Sequence, residues 1–304
     1  MSLLLVMLMV FALLPAAAMA TNTPAPKDTE GVYLAKSYDP ESGMITLEAY
    51  TKGEVTVTTT EKAVPCDIVL VLDVSGSMIY PLGSKVTVTA DQIYQTANED
   101  GLSGYSYYTN KDYYAVYITK TNNSYTAYYL DDDGDSHNIF KNKSATSSAD
   151  LYPNRLYALK SAVNVFIDKV QEDAATNKVN HRVSIVKFAG NKTSTVGNNT
   201  YYDYDDGYSY NYSQIVSNLT TVETEADATA LKTTVSKIVA AGATRADYGM
   251  DHAKTVFDNV ANQEGASERA KAVVMFTDGE PTDGSKFNDT VANAAVAASK
   301  TLKG

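Results

Sequence analysis

The chain has 304 residues, 44% of them hydrophobic and 20% charged, enough for one large domain with insertions or two small ones, with ample material for a core. A net charge of -11 argues against nucleic acid as a partner, because phosphate binding needs clustered Lys and Arg. The single cysteine, Cys66, rules out an internal disulfide and fits a small apolar packing residue.

Residues 3–14 form an apolar run, followed by Pro15 and small residues as far as Ala20. Ala18 and Ala20 make an A-x-A cleavage site, so residues 1–20 read as a signal peptide and the mature chain is expected to start near Thr21. No Lys or Arg precedes the run, which departs from the usual pattern. It is short for a membrane span, and no other stretch could serve as one. A secreted or cell-surface protein is therefore expected. Residues 21–30 are polar and Thr/Pro-rich and read as linker. Residues 31–62 carry strand signals: 44–50 alternate, Lys52-Gly53 turns, and 54–58 alternate again. A two-stranded hairpin alone is marginal, so a share in a β-sandwich is expected.

Ile68-Val69-Leu70-Val71-Leu72 is a continuous apolar run ending in Asp73, as suits a parallel strand covered on both faces. Leu156, Leu159, Val163, Phe166, Ile167 and Val170 recur at helical spacing. Residues 182–189 read as an alternating strand, 226–239 and 247–260 as helices, 272–277 as a second buried strand and 288–302 as a last helix. Strands alternating with helices predict an α/β fold, a doubly wound and mostly parallel sheet with ligands at the carboxyl ends of its strands. Two polar segments, 79–152 and 191–212, interrupt the rhythm. They hold eighteen of the 23 tyrosines, and residues 113–118 and 124–130 read as paired strands, so the insertions are expected to be Tyr-rich β structure.

Asp73-Val74-Ser75-Gly76-Ser77 is a D-x-S-x-S motif directly after a buried strand. Its loop offers one carboxylate and two hydroxyls, and hard divalent ions take oxygen ligands. Thr244 follows the turn at Gly242, and Asp278 follows the second buried strand in Phe276-Thr277-Asp278-Gly279. In a parallel sheet all three loops can share one edge. Asp131-Asp132-Asp133-Gly134-Asp135 lacks the spacing of a calcium loop and reads as a charged hairpin turn, as does 203–206. His137, His181 and His252 are scattered and suggest no zinc site. No nucleophile–base pattern appears, so the chain does not read as an enzyme.

With these three motif parts in this order, the chain resembles the von Willebrand factor A family over roughly 63–304, the two insertions unmatched. That resemblance implies a metal-ion-dependent adhesion site. Ser75, Ser77 and Thr244 would give hydroxyl oxygens to the ion, and Asp73 and Asp278 would act directly or through water. A partner's Glu or Asp carboxylate would complete the octahedron. Mg²⁺ is the expected ion, with Mn²⁺ or Ca²⁺ as alternatives. Family members usually continue for two more strand–helix units, so the natural chain is expected to extend past Gly304. A weaker resemblance reaches cell-surface and pilus-tip adhesins of Gram-positive bacteria, in which such a domain is inserted in a β-sandwich. It implies metal-dependent adhesion to an extracellular protein ligand, such as a host matrix protein. The alternative is a structural subunit that packs against other pilus subunits.

Overall fold

A computed structural model describes residues 31–38, 45–52, 63–97, 108–109, 112–114, 116–131, 133–205, 207–284 and 286–303. The segments expected to be a signal peptide (1–20) and a linker (21–30), and the strand expected at 54–58, lie outside the described residues. Within them, β1 (Gly31–Tyr38) pairs antiparallel with β2 (Ile45–Lys52). The strand expected at 44–50 thus takes its described partner from the residues before it.

The chain is an α/β protein built on a four-stranded mixed sheet. At its centre lies β3 (Cys66–Asp73), flanked by β10 (Arg182–Phe188) and β14 (Ala270–Phe276), both parallel to it. The fourth strand, β13 (Gln214–Thr221), is antiparallel to β10 on its outer side. Strand β3 is buried from Asp67 to Asp73, because helices cover both faces. Ile68, Leu70 and Leu72 point to α2 (Arg155–Asn177) and α3 (Glu225–Ser236), meeting Leu159, Val163 and Leu231. Val69 and Val71 point the other way, to α4 (Ala246–Val260) and α5 (Asp289–Lys303), meeting Met250, Ala253 and Phe257. The period-2 alternation of a strand sends neighbouring residues to opposite layers, so an unbroken apolar run fills two cores at once.

Strand β10 departs from the expected half-exposed alternation. It is buried from Val183 to Phe188, and its two polar residues are internally bonded instead of solvated. Ser184 Oγ donates to the Ser217 carbonyl oxygen at 2.7 Å, and Lys187 Nζ reaches three oxygens of the second insertion. Strand β13 carries no strong sequence signal, since Ile215, Val216 and Leu219 form neither an alternating pattern nor an unbroken run among its polar residues. It forms because it closes the outer side of β10.

The first insertion is more than a polar arm. It contains β4 (Val86–Thr89), α1 (Ala90–Ala97), β5 (Tyr108–Thr109), β6 (Val116–Thr121), β7 (Ser124–Leu130), β8 (Ser136–Lys143) and β9 (Ser148–Leu151). Strands β5 to β8 form one antiparallel sheet in chain order, and β4 pairs with β9. Ile93, Val116, Ile118, Tyr125, Ala127 and Phe140 give this unit a core of its own. The pair expected at 113–118 and 124–130 is present with its first strand moved to Val116–Thr121, as is the turn at Asp131, whose carboxylate accepts from the Asp133 and Asp135 amides and contacts His137 Nε2. The second insertion is the hairpin β11 (Thr200–Asp203) with β12 (Tyr208–Asn211). Among the described residues no helix is long and apolar enough to cross a membrane.

Helix α4 sits so close to the sheet that one position in it must be glycine. A Cβ on Gly249 would lie 2.9 Å from both a Phe188 ring carbon and a Val71 methyl. Because α4 starts two residues after Thr244, this contact also sets where that residue lies. Gly249→Leu should therefore destabilise the fold by about 2 kcal/mol or more in urea melts, as overpacking does. A neutral or stabilising change would show that the close approach does not constrain the helix.

Candidate functional site

Strands β3 and β14 run parallel with Leu72 opposite Phe276, so their carboxyl ends bring Asp73 beside Thr277 and Asp278. Thr277 Oγ1 donates to Asp73 Oδ2 at 2.6 Å, and the Ser75 amide donates to Asp73 Oδ1 at 2.9 Å. The Ser75 and Ser77 hydroxyls lie 3.0 Å apart, and Ser77 Oγ donates to Asp278 Oδ1 at 3.0 Å. Four of the five residues singled out in the sequence are thus one hydrogen-bonded set.

The fifth, Thr244, is brought up by backbone. The Gly76 amide donates to the Gly242 carbonyl at 2.8 Å, and the Ala241 amide to the Val74 carbonyl at 2.9 Å. Gly242 has φ +112°, a conformation that L side chains rarely adopt, and a Cβ there would sit 3.3 Å from the Gly190 amide. The Thr244 amide donates to Thr282 Oγ1 at 3.0 Å, and its carbonyl accepts from the Thr282 amide. Thr244 is buried, and among the described residues its hydroxyl makes no hydrogen bond. Arg245, beside it, is committed to both Asp247 oxygens, at 3.0 and 2.8 Å, and stacks on Tyr248 at 3.7 Å.

Asp73 is wholly buried and has no cationic partner among the described residues. Burial, and then the negative charge of Asp278, push its carboxyl up to about 6, against hydrogen bonds from Ser75 and Thr277 that favour the charged form. Asp278 does have a cation: the Arg155 guanidinium contacts its Oδ2. All the donors here are hard oxygens, two carboxylates and three hydroxyls. No cluster of three His, Cys, Asp or Glu side chains with metal-ligand potential occurs among the described residues. A cation held here would therefore depend on hydroxyls as much as on carboxylates.

Both insertions are rooted at this edge. The first leaves after Ser77 and returns at Pro153, its ends zipped by Leu82 N to Pro153 O at 2.9 Å and Arg155 N to Tyr80 O at 2.9 Å. The second is tied in through Asn211, which is fully buried. Its Nδ2 donates to the carbonyls of Val239 at 2.8 Å, Ala241 at 3.2 Å and Val74 at 3.3 Å. Its Oδ1 accepts from Lys187 Nζ at 3.1 Å, which also donates to Asn198 Oδ1 at 2.6 Å and the Asn199 carbonyl at 3.0 Å. One side chain thus joins the hairpin to the loops that carry Ser75 and Thr244.

The tyrosines divide into two groups. Tyr117 stacks on Tyr128 across strands at 5.2 Å, and Tyr201 packs on Tyr212 at 4.7 Å and on Tyr210 at 6.0 Å. Tyr80, Tyr202, Tyr204 and Tyr208 instead are at least half exposed. Sequence reasoning missed Thr277, Arg155, Lys187 and Asn211. A lysine inside an apolar strand was a usable signal for Lys187, and the T-D-G context for Thr277. Asn211 lies in a polar insertion and gave none. Compared with the models of known protein families and with curated proteins, the chain matches none.

Burial lowers the Lys187 amine to about 8 from an ordinary 10.5. Below pH 8 the folded chain therefore holds a charge it would rather lose. Above it the unfolded chain binds more protons, so stability rises with pH until about 10.5, by about 3 kcal/mol in total. Lys187→Met lacks this slope. Urea melts of both proteins across that window should show the wild-type gaining on the variant; a constant gap would refute the buried charge.

Proposed function

We propose that this edge is a divalent-cation site of the von Willebrand factor A type, and that the chain is a metal-dependent binding module for an extracellular protein. The observation that carries it is the convergence at one edge of a wholly buried carboxylate without a cation, Asp73, and of Thr244, a largely buried residue whose hydroxyl has no hydrogen bond among the described residues. A turn-and-cap network would leave neither a buried carboxylate without a counter-charge nor a hydroxyl without a bond. A hard cation satisfies both, since Asp73, Ser75, Ser77, Thr244 and Asp278 form an oxygen-only set that suits Mg²⁺, with Mn²⁺ or Ca²⁺ as alternatives. When bound, the ion would supply an electrophilic position for a carboxylate of the partner protein.

The roles of the chain's own residues follow. Ser75 and Ser77 orient two hydroxyls from one loop, Thr277 and the Ser75 amide fix the rotamer of Asp73, and the Asn211 bonds hold the Thr244 loop against the first. The exposed tyrosines on the two insertions, Tyr80 and Tyr202 among them, offer amphipathic contact area beside the ion at low entropic cost. Partners of this kind are extracellular proteins presenting Glu or Asp, in keeping with the signal sequence and with a place at the cell surface.

Thr244→Val gives the cleanest test, because the lost hydroxyl bonds nothing within the fold. Stability should stay within about 0.5 kcal/mol of wild type. Calorimetric affinity for Mg²⁺ should fall by at least about tenfold. Binding to a panel of immobilised matrix proteins should vanish both in this variant and in wild type treated with EDTA. Undiminished Mg²⁺ affinity in the valine variant would refute the site, and binding that survives EDTA would refute the metal-dependent function.

A further inference from the structure

Among the described residues, Arg155 is the one cation that reaches the candidate ligands. It stands at the first position of α2, where the chain returns from the first insertion, and its amide bonds the Tyr80 carbonyl at 2.9 Å. Its guanidinium lies 5.7 Å from the Tyr80 ring centre and ends on Asp278 Oδ2, a side chain only 7% exposed. Asp278 is thus held from two sides, by Ser77 Oγ on Oδ1 and by Arg155 on Oδ2.

A buried carboxylate without a cation is costly, and an arginine with an exposed path is the ordinary remedy. Here the remedy is applied to Asp278 and withheld from Asp73. An arriving divalent ion therefore meets one carboxylate that has no cation and one whose charge is already spoken for. The fixed positive charge also repels the ion directly, in a setting of low effective dielectric.

We propose, resting on the cation-site reading above, that Arg155 is an internal counter-ion of Asp278 that holds the ion-free site together and lowers its affinity for a divalent ion. Ion capture then draws on the residue whose amide bonds Tyr80 at the root of the first insertion and whose guanidinium lies over the Tyr80 ring. The ion site and that insertion are mechanically coupled through Arg155.

The test is Mg²⁺ titration by calorimetry on the full chain and on two variants. Arg155→Gln keeps a hydrogen-bond donor for Asp278 and removes the charge; Arg155→Lys keeps the charge. The glutamine variant should bind Mg²⁺ about tenfold tighter or better, and the lysine variant within about threefold of wild type. A purely structural role for Arg155 predicts weaker or unchanged binding in the glutamine variant, and either result overturns the proposal while leaving the cation site standing. Absence of Mg²⁺ binding in all three proteins overturns both. A second readout needs no variant: slow guanidinium proton exchange at Arg155, followed by ¹⁵N NMR, should accelerate when Mg²⁺ is added to wild type. Exchange that stays slow at saturating Mg²⁺ would contradict the release of Asp278.

Discussion

The architecture depends on how one strand deals with two buried acids. Strand β3 carries Asp67 near its start and Asp73 at its end, both essentially inaccessible to water. Asp67 is clamped by Arg182, at 2.8 and 2.6 Å, and by Arg269 at 2.6 Å. Burial alone would raise its carboxyl, but the two guanidinium groups outweigh it and hold the carboxyl below the usual range. Asp73 receives only a hydroxyl and an amide, and its carboxyl is pushed up. One end of the strand is thus electrostatically closed by the protein, and the other is left for something else to close. On one strand, with both side chains shut off from water, the charged partners of Asp67 and their lack at Asp73 set a structural carboxylate apart from a candidate functional one.

The insertions follow from the same edge. Each leaves the sheet at a carboxyl end and is stitched back to the loops there, the first by Pro153 and Arg155, the second by Asn211 and Lys187. The larger one can project from the sheet because it brings its own apolar core, from Ile93 to Phe140. The smaller one has little core and relies on packed tyrosines and on a buried lysine–asparagine contact. That contact is expensive, since a desolvated ammonium has only carbonyl oxygens around it. It persists because Asn211 also satisfies three backbone carbonyls of the loops next to Ser75 and Thr244.

Much of this was legible in the sequence for physical reasons. The run 68–72 announced a strand buried on both faces, and the helical spacing from Leu156 to Val170 announced the helix beneath it. Helix limits moved by only a few residues, since caps such as Asn154 and the Thr224–Asp227 capping box fix them locally. That the D-x-S-x-S loop and Asp278 could share one edge was legible too, because both follow buried strands and parallel strands end on the same side; the register that brings them together came from the structure. What escaped was non-local. Strand β13 exists because β10 needs a neighbour, and nothing in Gln214–Thr221 alone says so. The core of the first insertion is scattered among polar residues over about sixty positions, and only folding gathers it. Arg155, just before the helical spacing that begins at Leu156, was not singled out; its contact with Asp278 spans 123 positions and has no sequence signature.

The hydrogen-bonded state of the candidate site bears on how it would work. Ser75, Ser77 and Asp278 already satisfy one another, and Arg155 supports the set. On the proposed reading, a cation does not fill a disordered gap. It exchanges with existing bonds: the two serine hydroxyls turn their lone pairs to the ion, and Asp278 gives up contacts it already has. An exchange of this kind lowers net affinity, because each bond surrendered offsets part of the coordination energy gained. It also keeps the loops in nearly the same geometry in both states, so little ordering entropy is lost when the ion arrives. Two groups stand apart from the exchange: Asp73 keeps the two bonds that orient it and has no cation to surrender, and the Thr244 hydroxyl has no hydrogen bond to surrender. The driving force for binding should therefore concentrate on those two, while the serines and Asp278 set geometry. That division explains why the least bonded member of the set, Thr244, is the one whose removal is most informative.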